Sequence, residues 1–430
     1  MFQAVTGFKI PRRRFLGLAG LAGMGLAATA IAPAQTQTRQ DTIKIGLLHS
    51  LTGTMAISET TLLDAEYLAI AQINRAGGVL GRQIEAVIED GASDWPTFAE
   101  KAQKLIRGDR VAAVFGCWTS ASRKSVLPVF ETFNSMLWYP VAYEGQECSK
   151  NIFYTGAVPN QNIEPAIDWL LENKSRQVFL VGSDYIFPRT ANEIVKQQVV
   201  AKGGEVVGED YLPLGDTRLT RTIENIQQRL PKGGAIFNTL NGDSNISLFR
   251  LFQAAGLQPK HYPIMSVHLY EDVIPFIGSQ LLQGHYVVAN YFQAIDTPMN
   301  QMWVADFQAV YGSNRPVTDP MAAAYTAIYL WKQAVDVVGD PYDIDAVRQA
   351  AYGQQFEGPE GLVTMNVNHH LSRPVYIGRF NDRGGFDLVY QSNSAIDPDP
   401  WNQRIAASRG FGCDWSDASR GGRYSTTDTD

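Results

Sequence analysis

The chain has 430 residues, is 45% hydrophobic and 18% charged, and carries a formal net charge of −7. That length and composition suit a globular protein with room for two domains, and the acidic balance speaks against nucleic acid as a partner. Beyond the N-terminal region no apolar run reaches the roughly 20 residues of a spanning helix, so none is expected in the body of the chain.

Residues 1–34 read as a signal peptide. Lys9, Arg12, Arg13 and Arg14 form a basic start, Leu16 to Ile31 an uncharged apolar region, and Ala32-Pro33-Ala34 a small-residue cleavage site. Arg12-Arg13-Arg14-Phe15-Leu16 resembles the twin-arginine type, which exports folded proteins to a periplasmic or other extracytoplasmic space. Its removal takes away four basic side chains and no acid, moving the charge to −11. The three cysteines, Cys117, Cys148 and Cys413, match no metal-ligand spacing. Folding in the reducing cytosol before export would leave them as thiols. Cys117 then reads as a small buried hydrophobe, and a Cys117–Cys148 bridge is the alternative.

Strand and helix alternate from the first mature segment. Ile43 to Leu48 is a strand covered on both faces, Thr60 to Ala76 a helix, Gln83 to Glu89 a strand and Pro96 to Arg107 a helix. Ala112 to Gly116 is a strand leading into a helix announced by Thr119, Ser120 and Ser122; Met136 to Tyr139 is the next strand. Asn151 to Asn162 reads as a crossing. A second run follows: strands at 178–182, 205–208, 235–240 and 263–267, with helices to about Lys202, at 219–230 and at 243–255. Gln283 to Tyr291 crosses back, helices follow at 299–312 and 320–338, and strands near 374–380 and 387–390 close the pattern. Such alternation predicts an α/β protein of two doubly wound, Rossmann-like lobes. Lobe 1 takes 41–158 with 289–360, and lobe 2 takes 159–288 with 361–412. Crossings near 158–160, 286–291 and 358–361 form a three-crossing hinge, and 413–430 form a disordered tail.

The candidate site lies where strands end. A strand running into a helix N-terminus leaves backbone N–H groups and a positive dipole end free, and ligands of open α/β sheets bind there. Ser120 either caps that helix or faces a ligand. Tyr139, Tyr143 and Glu144 follow the neighbouring strand, and Asp184 and Tyr185 stand at the matching position of the second lobe. Asp184 reads first as a cap of the helix that Pro188 opens and second as a ligand contact. Asn241 ends a second-lobe strand, and His268 lies in the PIMSVHLY stretch at 263–270. No phosphate loop, dinucleotide fingerprint, nucleophile elbow, H-E-x-x-H or paired C-x-x-C is present, so no enzyme activity, cofactor or metal is expected.

These stretches resemble the leucine/isoleucine/valine-binding family of type I solute-binding proteins. GLLHSLTG (46–53), INRAGGVLGRQIE (73–85) and EDGASD (89–94) carry the broad likeness. GCWTSASRKSVLPVFE (116–131), YPVAYEG (139–145) and VGSDYIFPR (181–189) are similar to the urea and short-chain amide binders within it. Amide-sensing relatives carry Tyr where Trp118 stands and Thr where Val141 stands. The resemblance implies a periplasmic-binding-protein-like type I fold with a ligand clamped between the lobes and no catalysis. It implies permease and ATPase subunits of an ABC transporter as partners, and urea or a short amide as ligand. It places Trp118, Thr119, Ser120, Tyr139, Tyr143 and Tyr185 in the ligand-contacting stretches, with Glu144 and Asp184 beside them. A branched-chain amino-acid binder, an amide sensor and an exported enzyme are the alternatives.

Overall fold

The computed structural model describes residues 42–417 and 419–426; the expected signal peptide lies outside them. Five strands form the first sheet: β1 (Ile43–His49), β2 (Ile84–Asp90), β3 (Val114–Gly116), β4 (Leu137–Tyr139) and β5 (Ile152–Tyr154), in the order β2-β1-β3-β4-β5 and all parallel. The apolar run of β1 is buried on both faces, whereas the edge strand β2 mixes buried, half-buried and exposed positions. The expected crossing at 151–162 therefore begins with a strand. Ile152, Phe153 and Tyr154 pair with Leu137, Trp138 and Tyr139, and Phe153 stacks on Trp138 at 4.5 Å.

The second lobe is built on β6 (Gln177–Ser183), β7 (Glu205–Leu212), β8 (Ala235–Thr239), β9 (Ile264–Ser266) and β10 (Tyr286–Ala289). A small antiparallel sheet, β11 (Gln355–Gly358), β12 (Gly361–Met365) and β13 (Leu371–Ser372), follows. The chain then returns to the second sheet as β14 (Tyr376–Phe380) and β15 (Phe386–Gln391), giving the order β15-β14-β10-β9-β8-β6-β7. The expected lobe boundary at 360/361 falls inside the β11–β12 turn, and the chain re-enters the second sheet two strands later, at β14.

Two expectations are corrected at the C-terminus. The stretch expected to be disordered after 413 holds an antiparallel hairpin, β16 (Phe411–Asp414) and β17 (Gly422–Ser425). Cys148 is disulfide-bonded to Cys413 across a sequence separation of 265, while Cys117 is free and buried. Neither the reduced set nor a Cys117–Cys148 bridge is what forms. The returning chain brings two distant cysteines to a Cα–Cα distance of 6.0 Å, a proximity no local pattern encodes.

Candidate functional site

The site begins where β3 ends. Gly116 has φ +139, and a Cβ there would lie 2.1 Å from the Leu48 carbonyl oxygen, so only glycine lets the backbones meet. Cys117 follows with φ 62, and the chain turns into the helix Ser120–Thr132. Thr119 is the cap: its side chain accepts from the Ser122 N–H at 3.0 Å. Ser120 is thereby released from capping. Its hydroxyl donates to Glu144 and accepts from Arg123 Nη1 at 3.2 Å.

Arg123 is the centre of this arrangement. It is fully buried, donates to Glu147 at 2.8 Å through Nε, and reaches Glu144 at 3.4 Å through Nη2. Its guanidinium lies 4.7 Å from the Tyr139 ring centroid and 4.2 Å from that of Tyr143. Lys124 and the Tyr154 hydroxyl also bond Glu147, at 2.8 and 2.7 Å. Burial pushes the Glu147 carboxyl up, but Arg123 and Lys124 outweigh it and hold the group at about 2. Tyr139 donates its phenol proton to the Trp118 carbonyl, and Tyr143 bonds His370 Nε2 at 2.7 Å.

The second lobe closes on this group. Trp118 Nε1 donates to Asn241 Oδ1 at 3.3 Å, Thr54 Oγ1 reaches Asp243 Oδ2 at 3.4 Å, and His268 Nε2 lies 3.2 Å from the Ala142 carbonyl. A ring nitrogen facing a carbonyl carries the proton, which leaves His268 Nδ1 as an acceptor; that atom is buried with no partner. The ring is flanked by Phe187 at 4.6 Å and Trp118 at 6.2 Å. Tyr185 is buried as well; burial pushes its phenol well above the usual range, with Tyr139 and Glu144 adding to the shift and Arg123 opposing it.

Of the ten candidates, nine are buried: Trp118, Thr119, Ser120, Tyr139, Tyr143, Glu144, Tyr185, Asn241 and His268. Asp184 is apart from them. Its side chain is 48% exposed and pairs with Arg189 at 2.8 Å; it makes no cap bond, since the helix Ile186–Ala201 starts after Tyr185 without one. Sequence reading passed over Arg123, although its i, i+3 spacing from Ser120 puts both on one helix face. It also passed over Glu59, whose buried carboxyl accepts from the Ser50 N–H at 2.6 Å and is pushed by burial to about 7. Glu59 acts electrostatically on Cys117 and Tyr185. Among the described residues no group of three or more His, Cys, Asp or Glu could hold a metal ion, and no helix is long and apolar enough to cross a membrane.

Burial lowers the His268 pKa from 6.5 to about 4. Its folded value lies below its unfolded one, so its contribution to stability is present above pH 6.5 and is lost as pH falls through about 4. An NMR titration is expected to show His268 neutral at pH 5.5, while an exposed histidine in the same spectrum is largely protonated. Protonation of His268 near pH 6.5 would mean that the ring is solvated.

A profile of the family described as "Periplasmic binding protein domain" matches residues 43–407. The leucine-, isoleucine-, valine-, threonine- and alanine-binding protein of Pseudomonas aeruginosa is 27% identical over 343 residues, 78% of this chain and 89% of that protein. Limonene hydroxylase of Geobacillus stearothermophilus is 34% identical over 124 residues, 29% of this chain; the match spans only 23% of the length of that protein. Among solved structures, the solute-binding protein of an ABC transporter from R. palustris in complex with benzoate superposes with a TM-score of 0.76 at 20% identity, covering 84% of this chain and 99% of that one. A branched-chain amino acid transporter substrate-binding protein from Streptococcus pneumoniae in complex with isoleucine gives 0.72 at 19% identity, covering 83% and 100%. At these identities the likeness is one of fold.

Proposed function

We propose that this chain, which belongs to the periplasmic binding protein family, captures a small neutral amide, urea first, between its lobes for an ABC uptake system. The observation that carries the reading is charge closure. Arg123 and Lys124 face Glu144 and Glu147, so a net charge on the ligand meets no unpaired counter-ion among these four groups. What remains is neutral and polar: the His268 Nδ1 acceptor, the Ser120 and Tyr185 hydroxyls, and backbone N–H groups at the start of the helix Ser120–Thr132. Flat walls come from Trp118, Tyr139 and Tyr185. Urea and acetamide need acceptors for N–H, a donor for the carbonyl and flat apolar walls. Thr119, Tyr143 and Asn241 complete the set of contacts and supports in this reading; Asp184 is left out.

The Cys148–Cys413 disulfide suits an oxidising compartment outside the cytoplasm. That agrees with export; with a twin-arginine-type leader the bond would close only after the folded chain has crossed, and N-terminal sequencing of the mature protein would check the leader. The permease and ATPase partners follow from the same reading. A second reading, a branched-chain amino acid, is favoured by the name of the Pseudomonas relative; Glu59 is then the carboxyl available to an ammonium group. Calorimetry with urea, acetamide, formamide and leucine separates the two: tight binding of leucine alone would replace the amide reading.

A buried polar group left unpaired costs about 1–3 kcal/mol. Ser120→Ala is therefore expected to weaken urea binding roughly ten- to a hundredfold. Tyr185→Phe should cost less, and Tyr185→Ala more than Tyr185→Phe because a wall is lost as well. Affinity and melting temperature are to be read together. Unchanged affinity in Ser120→Ala and Tyr185→Ala at intact stability would place the site elsewhere.

A further inference from the structure

We propose that the C-terminal segment around 398–415 is a strap that positions the cleft carboxylates, with the Cys148–Cys413 disulfide as its clasp; the proposal rests on the cleft reading above. Glu144 and Glu147 stand on a stretch after β4 that belongs to no helix or strand. Ser120, Arg123, Lys124 and Tyr154 bond the two carboxylates, and the Tyr143 N–H donates to the Ala157 carbonyl at 2.9 Å; further restraints on the backbone of this stretch come from far along the chain. The Gln146 N–H donates to the Pro400 carbonyl at 2.7 Å. Gly145 has φ +69, and a Cβ there would lie 2.5 Å from the same carbonyl oxygen, so stretch and strap touch backbone to backbone. Cys148 is bonded to Cys413 on β16.

The strap is itself anchored on both sides. The Asp399 N–H donates to Asn160 Oδ1 at 3.0 Å, Asn368 Nδ2 donates to the Pro398 carbonyl at 3.2 Å, and the Trp415 N–H donates to the Val367 carbonyl at 2.9 Å. A second line of contact runs from Asn368 through its carbonyl to His370 Nδ1 at 2.6 Å, and from His370 Nε2 to the Tyr143 hydroxyl at 2.7 Å. The restraints thus fall on residues 143, 145, 146 and 148, on either side of the two carboxylates. The Arg123–Glu144 contact is already 3.4 Å long, so a shift of about 1 Å in the stretch would part it and free the Ser120 partner. The strap is a positioning element: it touches no ligand and acts through Glu144.

The test uses the full-length chain and urea as the probe. In the Cys148→Ser/Cys413→Ser double variant, the Gln146 amide is expected to lose hydrogen-exchange protection and urea affinity to fall about tenfold. On a Glu144→Gln background, which has already lost the positioned group, breaking the clasp should add little. Unchanged affinity with unchanged exchange at Gln146 overturns the strap. So does an affinity loss that persists in full on the Glu144→Gln background, because the disulfide would then act on the lobe at large. If the unmodified chain does not bind urea, or Glu144→Gln leaves its affinity intact, it is the cleft reading that fails. Exchange at Gln146 then decides alone whether the strap holds this stretch.

Discussion

Replacing Arg123 by methionine is expected to lower the unfolding free energy by about 3–5 kcal/mol at neutral pH, the cost of leaving buried charges without their partner. The guanidinium is fully buried, bonds two carboxylates and lies over two aromatic rings. Methionine keeps much of the apolar volume but supplies no positive charge. Lys124 still serves Glu147, but among the described residues no second cation pairs with the Glu144 carboxylate, and Lys124 is 39% exposed, where an ion pair is screened. The pH dependence identifies the cause. The Glu147 carboxyl is held at about 2 against 4.5, so its contribution is present above pH 4.5 and is lost as pH falls through about 2. The deficit of Arg123→Met should therefore be full at pH 7 and smaller at pH 3.5. Guanidinium chloride unfolding at the two values measures it, and guanidinium is the denaturant of choice because urea is the proposed ligand. An equal deficit at both pH values would assign the effect to packing over the tyrosine rings.

Arg373→Met should have a similar cost, again larger at the higher pH, but in a window set by Glu360 rather than by Glu147. Arg373 stands between β13 and β14, where the chain returns to the second lobe. It is fully buried, pairs with Asp319 at 2.8 Å, lies 3.9 Å from Glu360 and donates to the Thr155 carbonyl at 2.9 Å. Burial pushes the Glu360 carboxyl up to about 7, against the pull of Arg373. A carboxyl raised in the folded state contributes stability that is present below its unfolded value of 4.5 and is lost as pH rises through about 7. Without Arg373 the folded value moves higher still, so the ionised form becomes harder to bury. A loss of about 3–5 kcal/mol is expected at pH 8, where Glu360 must be charged, and a smaller loss at pH 5, where it holds its proton. A deficit that is the same at pH 5 and pH 8 would show that Glu360 takes no part.

The residues by themselves determined the alternation of strand and helix, because a strand covered on both faces needs a continuous apolar run and a helix needs a stripe, and both are local patterns. Ile43–His49 and Ala235–Thr239 were legible for that reason, as was the strand-to-helix turn at 116–120, with its glycine and hydroxyls. Sequence also brought nine of the ten candidate side chains to buried positions, since residues at the carboxyl ends of neighbouring parallel strands must converge. It could not say which hydroxyl caps and which is free. Thr119 and Ser120 are equivalent on paper, and only the backbone turn at Cys117 hands the cap to Thr119 and Ser120 to Glu144. Asp184 stood at the right strand end, yet its neighbour Arg189 draws it outward. Tertiary structure alone decided the closed charge set around Arg123 and the Cys148–Cys413 bond. These contacts join segments whose sequence neighbours carry no trace of one another; burial and chain return, rather than periodicity, bring them together.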